Sequence, residues 1–449
     1  MTAITTLSKF VTTANVPAKT LGVAKSAFLD TVGVTLAGAV EPAARGMQKV
    51  AVAQAGAGPC RIFGTDLSVN SDWAALVNGT AAHALDYDDM CFVSLAHPSA
   101  PLVSALLALG EQTSASGKNI LEAYVIGFEI EGVLGRLMNP KHYQTGWHCT
   151  STIGTIGAAA ACARLLQLDA NATANCLAIA ASSASGLKEN FGTMTKPLHV
   201  GLAAQNAIHA ALFAQAGLTA SDRALDGPQG FLIAMASEHL ECGNAFDTLG
   251  QRWEILETGI TVKLYPSCAA THPALDAVLD LQQQNQLSPG QTETVEIEVD
   301  TVTPNLLIYD RPQTGLEGKF SMQFCVSAAL VDGKVSLETF ESRIHDPHIR
   351  DLLGRVTMRV NPAIGQGAPA LTQAQVTMHL RDGRVLTQKA NGARGYPEHP
   401  ASTAELEEKF TTCARRAISA AAVSAVLDQM HRMETLADIH ELTKHLGSS

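Results

Sequence analysis

The sequence predicts a mainly α protein with a smaller α+β domain. Helical spacing of apolar residues dominates the chain up to about residue 260, strand-like alternation begins at about residue 292, and helical patterns return near the C-terminus. We therefore expect a large all-helical domain over residues 1–263 and a smaller, lid-like α+β domain over residues 264–394. Residues 395–449 are predicted to form C-terminal helices that return to the helical domain.

The helical domain is predicted from the spacing of its apolar residues. Segments with this spacing lie at 24–40, 71–87, 100–115, 119–138, 151–168 and 200–217. The last two are apolar on nearly every side, which is typical of helices buried all round. Their many small residues would let neighbouring helices approach closely. No strong strand pattern precedes residue 290 or so.

The smaller domain is predicted from period-two alternation. "TETVEIEVD" (292–300) alternates polar and apolar residues as a half-buried strand does. "RVTMRVN" (355–361), "AQVTMHL" and "RVLTQKA" are predicted as further antiparallel strands, the last two joined at the Asp382-Gly383 turn. "GKFSMQFCVSAALVDG" and "ASTAELEEKFTTCARRA" have helical patterns, and the second opens with a Ser/Thr cap followed by glutamates.

Composition and charge narrow the possible functions. Of the 449 residues, 46% are hydrophobic and 16% are charged, which indicates extensive buried surface. The net charge of −11 argues against nucleic acid as a partner but leaves room for a small anion in a local basic pocket. Nine scattered cysteines without a Cys-x-x-Cys pair, and no N-terminal signal segment, predict free thiols in a reducing cytoplasm. No apolar run reaches membrane-spanning length, so no membrane association is expected.

Acidic residues and a histidine cluster in "HALDYDDMCFVSLAHPSAP" (83–101). Asp86, Asp88 and Asp89 stand where a helix is predicted to end, and His97 follows in a predicted loop. This group suits acid–base catalysis or a metal site, but spacing alone favours a solvated helix end. The sequence lacks His-x-x-x-His or cysteine-rich spacing, so no metal is predicted.

A second histidine-rich segment, "HYQTGWHCTSTIG" (142–154), precedes an apolar helix. Hydroxyl residues that follow its histidine are predicted to cap this helix: Thr150, Ser151 and Thr152. The free N–H groups at a helix start are suited to binding a carboxylate. His148 is equally well explained as a buried core residue or as a functional one.

Lys196, in "NFGTMTKPLHVG" (190–201), is the only lysine, arginine or carboxylate between Glu189 and Asp222. It is predicted to lie in a loop before a helix that begins near Val200. An unpaired buried ammonium is costly, so either this loop reaches water or the lysine has a chemical task. We favour a proton-transfer role, in which apolar surroundings and the helix start favour the neutral amine.

A further loop with ionisable groups, "KLYPSCAATHP" (263–273), lies at the predicted domain boundary, where pockets often form. It contains Lys263, Cys268 and His272. A Cys268–His272 nucleophile pair is a weak hypothesis, because a spacing of four residues is common by chance.

Taken in order, these segments resemble the MmgE/PrpD family, which includes 2-methylcitrate dehydratases, cis-aconitate decarboxylases and iminodisuccinate epimerases. The matching stretches are "NGTAAHALDYDD", "HPSAP", "GWHCTSTIG", "NFGTMTKPLHVG", "KLYPSCAATHP", "KFSMQFCVSAAL" and "ELEEKF". The resemblance implies a homodimer of two-domain subunits that needs neither metal nor organic cofactor and acts on small polycarboxylates. It places the active site between the domains.

The resemblance also implies which residues carry out the reaction. The implied catalytic residues are Lys196, His148, Tyr143, His97, Asp88 and Asp89. The implied substrate-binding residues are Lys263, His272 and Thr195. Proton abstraction next to a carboxylate would build a carbanion that lysines, histidines and helix N-termini stabilise.

Several reactions remain open at this point. The leading expectation is a lyase of the decarboxylase or dehydratase type acting on a di- or tricarboxylate, although the "GTMTKPLH" stretch is not typical of 2-methylcitrate dehydratases. An epimerase using Tyr143 and Lys196 as two bases is an alternative. Two further alternatives are a pyridoxal phosphate enzyme with Lys196 as the Schiff-base lysine, and a helical binding protein without catalysis.

Overall fold

A computed structural model describes residues 2–236, 242–365 and 372–448. The chain divides into two compact units, one of Met1–Val262 with Ser402–Ser449 and the other of Lys263–Ala401. The first unit is built almost entirely of helices, and the second combines helices with a four-stranded sheet. The predicted fold class, mainly α with a smaller α+β part, is confirmed.

The helices are α1 Ala3–Thr13, α2 Ala18–Gly38, α3 Pro42–Gln54, α4 Ser71–His83, α5 Ser99–Thr113, α6 Gly117–Met138, α7 Lys141–Gln144, α8 Cys149–Leu165, α9 Ala170–Ser183, α10 Thr195–Gln215, α11 Phe231–Ala236, α12 Glu254–Glu257, α13 His272–Asn285, α14 Gly315–Gly318, α15 Met322–Asp332, α16 Leu337–Glu341, α17 Pro347–Leu353, α18 Thr403–Ala414, α19 Ala420–His431 and α20 His440–Thr443. The strands are β1 Ala57–Arg61, β2 Ser68–Val69, β3 Thr292–Val299, β4 Val356–Val360, β5 Ala374–Leu380 and β6 Val385–Ala390.

Glycines bring α4 and α10 into close contact in the core of the first unit. A Cβ atom on Gly201 would lie 2.2 Å from the Leu76 carbonyl oxygen, and one on Gly79 would lie 2.9 Å from the Gly201 Cα. Only residues without a side chain allow two helix backbones to approach this closely. The contact lies about one helical turn from His83, at the end of α4, and from Lys196, at the start of α10.

Helix ends differ from the predictions at three places that matter for the site. The helix predicted to run to residue 87 ends at His83, so the aspartates after it belong to an irregular segment in which Asp86 has a left-handed φ of 52°. Such a φ is uncommon outside glycine but is tolerated by aspartate. The helix predicted near Val200 already begins at Thr195, which places Lys196 in its first turn and not in a loop.

The start of α8 also corrects a prediction. His148 occupies the N-cap position, and the helix begins at Cys149. Three hydroxyl residues that were predicted as caps therefore lie inside the helix: Thr150, Ser151 and Thr152. Their hydroxyls are used elsewhere: the Ser151 hydroxyl donates to the His199 carbonyl oxygen at 3.0 Å, and the Thr150 hydroxyl accepts from the His97 backbone N–H at 3.1 Å.

The sheet of the second unit has the order β4-β3-β5-β6. The β5–β6 hairpin predicted around Asp382-Gly383 is confirmed, and β3 pairs antiparallel with β5. The prediction for β4 is wrong in direction, because β4 runs parallel to β3. Helices α14 to α17 lie between these two strands in the chain, and a parallel pair requires such a long crossover.

Two further differences concern the ends of the units. A short antiparallel pair, β1 with β2, lies in the first half of the chain, where no strand was predicted. Residues 395–401 belong to the second unit, because buried Tyr396 bonds to the Ala269 carbonyl oxygen at 3.1 Å and to the Thr372 hydroxyl at 2.7 Å. The predicted cap of α18 is confirmed as a capping box between Ser402 and Glu405.

No single helix in the described part of the chain is both long enough and apolar enough to cross a membrane. Taken together, α2 and α3 are long enough and apolar enough to cross a membrane, but the pair is bent by 82° at the break between the two helices.

Candidate active site

A buried ion pair joins α10 to the segment after α4. The Nζ of Lys196 donates a hydrogen bond to Oδ1 of Asp86, and both side chains are less than 10% exposed. The Nζ also lies 5.0 Å from the centre of the Phe191 ring. Lys196 is therefore buried but paired, which corrects the expectation of an unpaired lysine.

Asp88 lies between two imidazoles. Its Oδ2 is 2.7 Å from Nδ1 of His83 and 3.4 Å from Nδ1 of His97. The other ring nitrogen of His97 is 4.0 Å from Oδ1 of Asp86, the same oxygen that Lys196 contacts. His97 thus links the Asp88 carboxylate to the lysine–aspartate pair.

The surroundings set the charges of this cluster. Burial alone would raise the pKa of Asp88, but the charges of His83 and His97 and their hydrogen bonds hold that pKa well below its ordinary value. Burial lowers the pKa of His83 to about 4, against the opposing attraction of Asp88. For both groups, burial and the charge of the partner therefore act on the pKa in opposite directions.

His148 borders the cluster from the start of α8. Its ring centre lies 5.6 Å from that of His83 and 5.0 Å from that of Phe191, which it meets edge to face. Its Nδ1 is 3.2 Å from Nδ1 of His199. Burial, reinforced by the nearby charges of His83 and Lys196, holds the pKa of His148 well below its ordinary value.

Asp89 belongs to a different set of contacts from Asp88. Its carboxyl accepts a hydrogen bond from the Ser99 backbone N–H at 3.2 Å and contacts the Ser99 hydroxyl, which in turn lies 2.7 Å from the Tyr124 hydroxyl. Burial, together with the charges of Asp30 and Asp88, raises the pKa of Asp89 to about 8. The structure therefore places Asp88 with the histidines and Asp89 in a separate polar network.

The other two predicted residues of the first unit lie on short or terminal helical segments. Half-buried Tyr143, on α7, has the Nζ of Lys188 3.4 Å from its ring centre, and the same Nζ donates to the Tyr143 carbonyl oxygen at 3.0 Å. Thr195 is the first residue of α10, and its N–H donates to the Thr193 hydroxyl at 3.2 Å.

The remaining predicted residues lie in the second unit. Lys263 is 1% exposed, so its long side chain is enclosed. His272 is also buried and opens α13, whereas the sequence placed it in a loop. Its Nε2 is 3.2 Å from the Ser267 carbonyl oxygen, and the Tyr265 ring meets it edge to face at 5.2 Å.

One group of side chains in the described part of the chain has the composition of a metal site. Ligand atoms of His83, Asp88 and His97 all lie within 4.8 Å of one another. Two imidazoles and a carboxylate are a ligand set that zinc accepts. The 2.7 Å contact between His83 and Asp88 is equally a hydrogen bond, so this geometry fits either occupancy by a cation or a histidine–aspartate network.

The sequence analysis missed several members of this cluster. Asp86 was noted among the acidic residues but not assigned to the site, and His83, Phe191 and His199 were not assigned either. A signal was available for His199, which lies three residues after Lys196 and so shares its helix face. No comparable signal identified Asp86, because its pairing with Lys196 joins positions 110 residues apart.

The first unit buries histidines, a lysine and carboxylates together, and these are the side chains that enzymes use for acid–base catalysis. The chain matches the MmgE/PrpD N-terminal domain over residues 3–241 and the MmgE/PrpD C-terminal domain over residues 265–433. The protein belongs to the MmgE/PrpD family.

Relatives with known names are similar over most of the chain. A human cis-aconitate decarboxylase is 29% identical over 393 residues, which cover 84% of this chain and 80% of the human protein. The cis-aconitate decarboxylase of Aspergillus terreus is 24% identical over 463 residues, covering 97% of this chain and 93% of that protein. A cis-aconitate decarboxylase-like protein of Aspergillus oryzae is 25% identical over 452 residues, with 95% and 93% coverage. The human and Aspergillus terreus relatives are named as decarboxylases, which are lyases, and this supports the expectation that the protein is an enzyme of the lyase class.

Proposed function

We propose that this protein is a decarboxylase acting on cis-aconitate or a closely similar tricarboxylate, without a metal or organic cofactor. The observation that carries the proposal is the buried cluster in which Lys196 and His97 share Oδ1 of Asp86 while His97 and His83 share Oδ2 of Asp88. The names of the relatives support decarboxylation over the other reactions of the family.

The proposed reaction needs a site that tolerates negative charge on carbon. The bond between carbon and one carboxylate breaks, CO₂ leaves, and the electron pair remains on the carbon, delocalised towards the neighbouring double bond and carboxylate. A proton then adds to carbon, so each turnover consumes one proton. Fixed positive charge and aligned N–H donors lower the barrier to forming such an anion.

The cluster supplies these elements in the proposed mechanism. Sequence analysis favoured proton transfer by an unpaired Lys196; because Lys196 is paired with Asp86, we propose instead that its ammonium stabilises charge that develops on the substrate carboxylates. His97 and His148 move the proton, since the His97 imidazole is part of the cluster and the His148 imidazole borders it. Asp88 orients His97, as a buried carboxylate orients a catalytic imidazole in many enzymes.

The untested residues of the sequence analysis remain part of the proposal. Thr195, Lys263 and His272 are proposed to bind substrate carboxylates, and Tyr143 to take part in proton transfer. Asp89 is proposed to support the fold near the site through Ser99 and not to contact the substrate. We further propose a homodimer, as the family resemblance implies.

A reaction screen in D₂O tests the proposed function. Purified protein is incubated separately with cis-aconitate, citrate, 2-methylcitrate and iminodisuccinate, while proton NMR follows the products and a coupled assay follows CO₂. We expect CO₂ only from cis-aconitate, with one deuterium added to carbon in the product. Water loss or stereochemical inversion without CO₂ would replace decarboxylase with dehydratase or epimerase. No turnover of any polycarboxylate would overturn the proposed function.

A further inference from the structure

The contact between His148 and His199 constrains where their protons are. Their Nδ1 atoms are 3.2 Å apart, within hydrogen-bonding distance, and both rings are buried. A neutral imidazole carries one proton, on one of its two nitrogens. A bond between the two Nδ1 atoms therefore requires one ring to be protonated at Nδ1 and the other at Nε2.

Hydrogen bonds to the main chain hold in place the two segments that carry these rings. The His148 N–H donates to the Gly186 carbonyl oxygen at 3.0 Å, and the Ser151 hydroxyl donates to the His199 carbonyl oxygen at 3.0 Å. Gly186 has a φ of 126°, and a Cβ there would lie 3.0 Å from the Ser151 Cβ and 3.4 Å from the His199 Cγ. The paired geometry is therefore built by three separate segments of the chain.

We propose that His148 and His199 form a two-histidine relay that carries a proton from solvent to the substrate carbanion. This inference rests on the proposed function. Nε2–H of His148 gives its proton to carbon, the proton on Nδ1 of His199 moves to Nδ1 of His148, and Nε2 of His199 takes a proton from water. Both rings stay neutral and exchange tautomers, and one proton is consumed, as decarboxylation requires. Return of the shared proton, with solvent exchange at both Nε2 atoms, resets the pair.

Charge and exposure favour this direction of transfer. The groups that act on His148 are His83 from α4, His97 from the segment before α5, and Lys196 and His199 from α10. A proton held as charge on His148 would be opposed by the Lys196 cation, so a neutral relay avoids that repulsion. As whole residues, His199 is 7% exposed and His148 is 2% exposed, so His199 is the residue with more access to solvent. Enzymes are known in which a neutral imidazole, and not an imidazolium, acts as the electrophile towards a substrate that becomes enolate-like.

Two substitutions separate a relay from simple orientation. His199→Asn keeps a hydrogen-bonding nitrogen near the position of Nδ1 but cannot pass a proton through the side chain, and His199→Phe keeps the ring without its nitrogens. If His199 relays protons, both variants lose kcat on the order of 10²-fold with little change in KM. His209→Gln, on the same helix but paired at 3.1 Å with Asp72, is the matched control and should keep wild-type kcat.

The dependence of the rate on buffer acid and on added imidazole extends the kinetic test. In a relay, the kcat of His199→Asn depends on the concentration of added buffer acid, and small imidazoles restore part of the lost rate. A His199→Asn variant with kcat near that of wild type would overturn the relay. Thermal melting of each variant shows whether a lost rate reflects unfolding.

A spectroscopic test works even if the substrate assignment fails. In protein labelled with ¹⁵N-histidine, two-bond ¹H–¹⁵N correlations report the tautomer of each ring, assigned from His148→Gln and His199→Asn spectra. The relay requires opposite tautomers for the two rings in the wild type. Equal tautomers would overturn it whether or not any polycarboxylate turns over. Opposite tautomers in a protein that turns over no polycarboxylate would support the hydrogen-bonded arrangement of His148 and His199 and would contradict only the proposed reaction.

Discussion

Among the described residues of the first unit, two buried lysine–aspartate pairs differ in what surrounds them. Lys196 bonds to Asp86, and Lys409 lies 2.6 Å from Oδ1 of Asp30. Each lysine is at most 7% exposed. A buried charge pair gives little net stability because desolvation offsets the attraction, so burial alone does not reveal the role of either pair.

The partners of each pair distinguish the two roles. Lys409 also donates to the Tyr87 carbonyl oxygen at 2.8 Å and lies 4.0 Å above the Tyr87 ring, so its bonds tie α18 and α2 to the segment after α4. The Asp86 oxygen that holds Lys196 is instead 4.0 Å from a His97 nitrogen. A lysine held by backbone and ring contacts strengthens the fold, whereas a lysine whose carboxylate is near histidines can take part in proton chemistry.

Replacing Lys196 should have the largest effect on activity. Lys196→Met keeps the length and apolar bulk of the side chain but removes the cation, and we expect kcat/KM for the substrate to fall at least about 10³-fold. Lys196→Arg should also lose most activity, because a planar guanidinium on a longer side chain does not place its charge where the compact ammonium does. Initial rates with protein of verified circular dichroism measure the effect. Full activity of Lys196→Met would remove Lys196 from the mechanism.

The two adjacent aspartates should respond very differently to the same change. Asp88→Asn removes the charge between His83 and His97, and we expect kcat to fall on the order of 10²-fold to 10³-fold. Asp89→Asn should keep most activity, because an amide reproduces the hydrogen bonds of a protonated carboxyl. Steady-state kinetics of both variants measure the two losses of kcat. Equal losses would contradict the separation of Asp88 from Asp89.

Asp89→Asn should also stabilise the fold in a pH-dependent way. The pKa of Asp89 is raised from 3.8 to about 8, so the wild type loses stability as pH rises through that interval, where folding holds the carboxyl protonated. Urea unfolding at pH 5 and pH 8 should show a larger gain for Asp89→Asn at pH 8.

Replacing Lys409 should reduce stability and spare catalysis. Lys409→Met leaves Asp30 buried without its cation, and removing one partner of a buried pair costs about 3–5 kcal/mol. Urea unfolding measures the loss, and rates at low temperature, corrected for the folded fraction, measure the activity. The double variant Asp30→Asn with Lys409→Met should recover part of the stability. A large loss of kcat in folded Lys409→Met would mean that the two pairs do not differ in role.

The histidines near Lys196 should make stability depend on pH. Burial lowers the pKa of His83 from 6.5 to about 4, so the folded state binds fewer protons than the unfolded chain between these values. The free energy of unfolding should therefore fall as pH drops from about 6.5 to about 4. We expect His83→Gln to weaken this dependence and Lys409→Met to leave it unchanged. An identical slope in His83→Gln would contradict the assignment to His83.

The smallest effect is expected from chelation. The group of His83, Asp88 and His97 could hold a cation, whereas the proposed mechanism uses these residues as a hydrogen-bonded network. Activity should stay unchanged after exhaustive dialysis against EDTA, with metal content checked by elemental analysis. Loss of activity that a divalent metal restores would reassign the three residues as ligands.

The sequence predicted the elements better than their arrangement. Helical periodicity identified α8 and α10, and strand alternation with Asp382-Gly383 identified the β5–β6 hairpin, because these signals are local. It misjudged β4, whose direction depends on a crossover through several helices. The sequence analysis also placed Lys196 in a loop, because Pro197 suggested that the helix had not yet begun. Pro197 in fact lies within the first helical turn, where proline is tolerated.

By itself, the sequence determined the fold class, the order of the motifs, and the isolation of one cation in an apolar stretch, since each depends on residue type and spacing. Only the tertiary structure decided that Asp86 pairs with Lys196, that Asp88 and not Asp89 meets the histidines, and that His199 meets His148. These contacts depend on the left-handed turn at Asp86 and on the close approach of α4 and α10 at Gly79 and Gly201. Neighbouring aspartates in one irregular segment look alike in sequence, and backbone direction together with helix packing determines which of them reaches the site.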